Sequence, residues 1–171
     1  PKKSTDYSVD TSQKTWGIAE NFDTTQYSVT DVERIAFSDK HVAYDIEGNA
    51  GNAIKLLGAL AGKEASMNKT YLGEGLKLLD AGMPYEQLMD LAVNAILGPN
   101  PAGSTVVSLL YKHAAGTEAP QAVLDEYGAL IDSGLTSASQ LAMSVAEHSI
   151  NATNLDLIGL SQTGVEYIFY I

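Results

Sequence analysis

The sequence has no cysteine among its 171 residues. That excludes disulfide staples, thiolate zinc sites and cysteine nucleophiles. It leaves the compartment open, since some secreted bacterial proteins avoid cysteine altogether. No apolar run reaches the roughly 18 residues needed to span a bilayer. The opening PKKSTDYSV lacks the apolar core of a signal peptide. The chain therefore reads as a soluble protein or as a piece of a longer secreted one. Basic residues are scarce: 10 Lys and Arg stand against 21 Asp and Glu, a net charge of −11. Such a surface repels phosphates and argues against nucleic acid as a partner. After Lys112 there is no Lys or Arg at all, while Glu118, Asp125, Glu126, Asp132, Glu147, Asp156 and Glu166 follow.

Catalytic patterns are also missing. His41, His113 and His148 are isolated, without HExxH or His-x-His spacing. Ser161 lies in GLSQTG, one residue off a G-x-S-x-G elbow and without its strand–helix context. There is no GxGxxG and no Walker loop. Asp125 and Glu126 are adjacent on a predicted helix and so face different directions. No catalytic residue is predicted, and the chain reads as a non-enzyme.

What is present is enough apolar material for a folded core, 45% of the residues. Residues 1–30 carry short β-prone runs around Tyr7 and Val9, Trp16 and Ile18, and Tyr27 and Val29, separated by turn residues. Trp16 and Phe22 read as core or edge packing. Residues 31–37 and 41–46 read as further strands. From Ala50 the period changes to that of helices. Ile54, Leu57, Leu60 and Ala61 form one stripe; Leu72, Leu76 and Leu79 form the next, with Gly82 as a left-handed cap. Pro84 suits a helix start before Leu88, Leu91, Ala92, Ala95 and Ile96, and Gly98-Pro99-Asn100-Pro101 is a firm break.

A second helical half follows, packed by Val106, Leu109 and Leu110, then by Val123, Tyr127, Leu130 and Ile131, then by Leu141, Val145 and Ala146. Gly62 aligns with Gly116, Glu64 with Glu118, Asp80 with Asp132, and Gly82 with Gly134. An internal repeat of three helices is the expectation. The predicted fold is α+β: a small antiparallel sheet over residues 5–46, then about six helices in two related repeats. The expected division is a β region at 1–49 and a helical domain at 50–171, with repeats near 50–98 and 103–150 and a C-terminal tail.

Asp45, Glu47 and Asn49 place oxygen side chains at alternate positions of a turn, which helps wrap a hard cation such as calcium. An EF-hand is excluded, because Ala50 and Leu56 stand where its turn glycine and bidentate glutamate belong. An incomplete calcium site, completed by Asp39 or a backbone carbonyl, is one reading. The other is a helix entry, with Asn49 or a neighbour capping the first turn and the carboxylates favouring the positive helix end.

The passage VERIAFSD followed by HVAYDIEGNAGNAIKLLGALAG resembles the segment that closes the β portion of many RTX-type, type I-secreted bacterial proteins. There a VERL-x-F-x-D … A-x-D-x-D-G-NAG-x-A segment leads into a helical C-terminal module. The helical repeats are similar to the DUF4214 family, a module of unassigned activity in large secreted, surface-layer and adhesin-like proteins. The likeness spans roughly residues 27–160. The calcium-loading nonapeptide GGxGxDxUx of such proteins is absent. The resemblance implies a secreted or cell-surface bacterial protein, adhesin-, surface-layer- or RTX-like, serving assembly, attachment or export. Its implied partners are the type I secretion machinery and other surface proteins or extracellular polysaccharide. An accessory domain of a secreted hydrolase, binding carbohydrate or supporting folding, is the alternative. A bacterial origin would make the glycosylation patterns at Asn68 and Asn151 irrelevant.

The tail ends Glu166-Tyr167-Ile168-Phe169-Tyr170-Ile171, an acid followed by an apolar run. Some uncleaved type I secretion signals end this way, as the resemblance implies. The alternation of Val165, Tyr167 and Phe169 with Glu166, Ile168 and Tyr170 equally suits a half-buried strand.

Overall fold

The computed structural model describes Lys3, residues 7–10, 15–20 and 26–30, and residues 32–169. Phe22, Tyr170, Ile171 and the Trp16 side chain fall outside the described residues, and with them the packing expected of Trp16 and Phe22. The fold is α+β, with antiparallel strands ahead of a helical body.

The strands form two sheets of three. β1 (Tyr7–Asp10), β2 (Thr15–Glu20) and β3 (Gln26–Thr30) make an antiparallel meander, with Val9 opposite Ile18 and Ile18 opposite Tyr27. β4 (Arg34–Ala36) and β5 (His41–Ala43) make a separate hairpin, and β6 (Val165–Tyr167) pairs with β5 from the far end of the chain. Residues 5–46 thus feed two sheets, and the second borrows its third strand from the tail. Val165 and Tyr167 are buried while Glu166 is half-exposed, the period of two expected of a strand with one covered face.

The six expected long helices are present: α1 (Asn49–Ala61), α3 (Lys69–Asp80), α4 (Tyr85–Leu97), α5 (Gly103–Ala115), α6 (Gln121–Asp132) and α7 (Ala138–Ala146). Three short ones join them: α2 (Lys63–Ser66), α8 (Ser149–Leu155) and α9 (Leu157–Thr163). α1 is the centre. Ala50, Ala53, Ile54, Leu56, Ala59 and Leu60 are all buried, so the helix is covered on nearly every side. It packs against α3, α4, α5, α7 and α8. Small residues permit this: a Cβ at Gly51 would overlap the Ile46 carbonyl, and the Leu155 side chain occupies the space beside Gly58.

The two halves repeat locally but not in packing. α3 ends with Gly82 at φ +90°, Gly82 N–H donating to Leu79 O and Met83 N–H to Leu78 O. α6 ends the same way, with Gly134 at φ +74°, its N–H on Ile131 O and Leu135 N–H on Leu130 O. Both are Schellman caps. Yet α3 buries Leu72, Leu76 and Leu79, whereas α6 buries only Gly128. The two caps match, but the packing of the two halves does not.

The sequence of the tail predicts an Asn or Thr cap before Leu155-Asp156-Leu157-Ile158, and the structure caps this stretch differently. Leu155 ends α8, and Asp156, at φ +55°, caps α9 by accepting from Gly159 N–H at 3.2 Å. Neither Asn nor Thr performs that role. An Asp tolerates the left-handed region better than most residues.

Candidate functional site

The turn between β5 and α1 carries the predicted cation ligands. Asp45 turns one carboxylate oxygen to the Arg34 guanidinium and the other to the Ala50 N–H at 3.1 Å. Only 9% of its side chain is exposed. Asn49 donates instead to Asp80 at 2.8 Å, and Arg34 reaches the same Asp80 oxygen at 3.4 Å. Glu47 is exposed. Asp45 is therefore the acceptor at the start of α1, while Gly48, at the N-cap, has no side chain to offer. Asn49 caps nothing. The three predicted side chains diverge: Asp45 toward Arg34, Asn49 through its amide N–H toward Asp80, and Glu47 toward solvent. Among the described residues no group of three or more His, Asp or Glu side chains converges as a metal site would.

Around this turn lies a network sequence spacing did not reveal. Arg34 lies over the Tyr167 ring, 5.9 Å from its centroid, and its buried Nε has no hydrogen-bond partner. Tyr167 meets His41 edge-on at 5.7 Å, and His41 stacks on Phe169 at 5.3 Å. Burial pushes the Tyr167 phenol up from its ordinary range. Glu166 bridges Lys40, at 2.7 Å, and Lys69. Those two ammonium groups hold its carboxyl below the usual glutamate range. A pocket of about 130 Å³ sits between Asp80, Lys77, Tyr167 and Phe169. The tail thus fastens the hairpin to α3.

Larger concavities involve the second helical half, and two of them have well-defined walls. One, of about 450 Å³, has a lining about half polar and half apolar. Asp90, Asn94, Asn100, Asp132, Thr136 and Ser137 contribute to it, where α4, the loop after it and the start of α7 meet. Asn100 is left-handed at φ +53°. Asp132 accepts from the Gly103 N–H at 2.7 Å, so the end of α6 caps the start of α5. Ser137 and Gln140 form a capping box on α7. The Ser-x-x-Gln spacing announces that box and was legible in the sequence.

The other concavity, of about 480 Å³, is an apolar groove on α5, with α6 and α7 as its walls. Leu110 and Tyr111 form the floor, and Val123, Tyr127, Leu141 and Val145 the sides. Sequence reasoning placed Leu110, Val123, Tyr127, Leu141 and Val145 in helix–helix packing. The structure instead leaves Tyr127 41% exposed and Ile150, at the groove end, 52% exposed.

The histidines serve structure separately. His113 Nδ1 lies 3.2 Å from Ala59 O, and His148 Nδ1 accepts from Ile150 N–H at the start of α8. Asn68 caps α3, accepting from Thr70 and Tyr71 N–H. Asn151 is fully buried. Comparisons with protein families, with curated proteins and with solved structures each return no match.

Proposed function

We propose that this chain is a non-enzymatic module of a secreted or cell-surface bacterial protein, of the adhesin-, surface-layer- or RTX-like kind, serving assembly, attachment or export. The observation that carries the reading is the open apolar groove between α6 and α7. A chain that covers its central helix so fully, yet leaves a contiguous apolar face on α5 and α6, has a surface suited to attachment. The likeness of residues 32–62 to the closing segment of type I-secreted proteins supports the location.

The test is cellular. The full parent protein, tagged inside an exposed loop, is followed by fractionation and by protease added to intact cells. Recovery in the medium, or on the surface in protease-sensitive form, is expected. Recovery only inside intact cells overturns the proposal.

A second reading, an accessory domain binding carbohydrate beside a hydrolase, draws on the half-polar cleft. Its Asp, Asn, Ser and Thr side chains match the hydrogen-bonding needs of hydroxyl-rich ligands. Titration with soluble oligosaccharides, against Asp90→Ala, tests it. Heat that persists unchanged in the variant, or is absent in both, removes that reading.

A further inference from the structure

We propose that residues 165–169 are an exchangeable strap: in a dimer of this chain each copy lays them into the other's slot between β5 and α3, with Asp156 as the hinge. The exchange does not depend on the attachment reading above.

The slot recognises the strap by its sequence. β5 pairs with β6 in one register, with His41 opposite Tyr167, Val42 opposite Glu166 and Ala43 opposite Val165. Past the strand, Ile168 N–H donates to Lys69 O at 3.0 Å, and the Ile168 carbonyl fills the gap that Gly73 leaves. Glu166 meets Lys40 and Lys69, Arg34 covers the Tyr167 ring, and His41 stacks on Phe169. All of these partners sit on the β4–β5 hairpin or on α3, far from the strap in sequence. They hold it equally well whichever copy of the chain supplies it.

The connection before the strap is built to move. α8 is anchored: Asn151 and Leu155 are fully buried, Leu155 against Gly58. α9 buries no residue, and its Ile158 is 80% exposed. Single residues join α8 to α9 and α9 to β6: Asp156 at φ +55° and Gly164 at φ +71°. Glycine adopts the left-handed region freely, whereas an aspartate is held there at a cost. When Asp156 returns to the right-handed region, α8 and α9 become one helix over residues 149–163, roughly 22 Å long. Leu157, Ile158 and Gly159 N–H then meet the carbonyls of Thr153, Asn154 and Leu155, replacing the cap that Asp156 now gives Gly159. The straight helix carries the strap off its own slot and presents it to a neighbour. Short connections in strained backbone favour such exchange. A two-fold pair makes every strap contact twice. The closed chain and the exchanged pair then differ chiefly at the hinge, so concentration decides between them.

Because the chain has no cysteine, single introduced cysteines report the exchange directly. Val42 and Glu166 are opposite each other in the ladder. Such Cα atoms stand about 4.5–5.5 Å apart, within disulfide reach. Chains carrying Val42→Cys and chains carrying Glu166→Cys are equilibrated together at millimolar concentration, diluted to micromolar and oxidised at once. A mixed disulfide dimer is expected, roughly tenfold or more above that of Val42→Cys with Glu126→Cys on exposed α6. Ala43→Cys with Val165→Cys repeats the measurement at the next rung, should Val42→Cys fail to fold. Light scattering on the cysteine-free chain follows the hinge. Asp156→Ala, which tolerates the left-handed region less, is expected to raise the dimer association constant roughly tenfold or more. Asp156→Gly, which adopts that region freely, is expected to lower it by a similar factor. One chain carrying both Val42→Cys and Glu166→Cys, oxidised while dilute, closes the strap on its own slot and is expected to stay monomeric.

A mixed disulfide no stronger than the control overturns the proposal. So does a dimer that survives in the closed double variant, which would assign self-association to another surface. An Asp156→Ala chain that stays monomeric while protease cuts residues 157–169 faster overturns it too, since the hinge would then only fray.

Discussion

Gly73 on α3 lies directly against the carbonyl of Ile168, so closely that a Cβ at residue 73 would overlap that oxygen. The tail is held there by Ile168 N–H donating to Lys69 O at 3.0 Å. In an ordinary helix interior, Ala in place of Gly stabilises by about 1 kcal/mol. Here Gly73→Ala must push the tail off α3, and a loss of about 1–3 kcal/mol is expected instead. Gly75→Ala, whose Cβ meets only Ala53 Cβ at 3.3 Å, is the comparison within the same helix. Urea melts of both variants check this; a Gly73→Ala protein as stable as wild type would remove the tail's close docking.

Asp45→Ala removes the partner of a half-buried guanidinium and the acceptor at the start of α1. Arg34 already has one buried nitrogen without a partner. The expected loss is about 2–3 kcal/mol, below that of a fully buried pair. A guanidinium against the carboxylate also repels a second cation. Equal melting temperatures in calcium and in chelator are therefore expected for the wild type. A calcium-dependent rise that Asp45→Ala abolishes would instead assign Asp45 to the metal.

Glu166 sets a pH dependence. Its carboxyl is held low in the folded state by Lys40 and Lys69, so the stabilisation is complete above the unfolded glutamate range. It is lost as pH falls below about 4 and through the lower folded value. Because the pair is about one-third exposed, the contribution is modest, about 0.5–1 kcal/mol. Glu166→Gln is expected to melt earlier than wild type at neutral pH. The two curves should converge only below the lowered folded value, where the wild-type side chain is also neutral. A constant gap at both pH values would mean the carboxylate charge is not the cause.

Asn151 is fully buried and donates to Ala146 O at 2.9 Å and Lys55 O at 3.2 Å. Asn151→Asp replaces that donor with a carboxylate facing two carbonyl oxygens. A loss of about 3 kcal/mol or more is expected at neutral pH. Burial raises the folded-state pKa of such an Asp above its unfolded value. The penalty is therefore full above the folded value and shrinks as pH falls toward about 4. Thermal melts across that range measure it, and a pH-independent deficit would point to lost packing instead.

Asp132→Ala tests the cap that α6 supplies to α5. Ala102, at the N-cap of α5, offers no side-chain acceptor. The expected cost is about 1 kcal/mol, that of losing a good cap. Asp132→Asn, which keeps an acceptor, should recover most of it in the same urea melts.

The sequence by itself determined the elements whose causes lie within a turn or two of chain. The stripe of Leu72, Leu76 and Leu79, the glycine stops at Gly82 and Gly134, the break at residues 98–101 and the alternation of Val165, Glu166 and Tyr167 are local signals. Each was legible because hydrogen-bond geometry and side-chain period act at that range. Tertiary structure alone decided where the polar groups went. Asp45 met Arg34 across the β4–β5 hairpin, Asp80 was claimed by Arg34 and Asn49 together, and Asp132 capped another helix. The oxygen spacing at Asp45, Glu47 and Asn49 could not report this, since a carboxylate pairs with whatever donor the topology brings nearest. The open groove was equally hidden. The stripe on α6 looks like that on α3, but α3 packs against α1, α4 and the tail strand, whereas α6 packs chiefly against α5, and that separates a buried face from a largely exposed one.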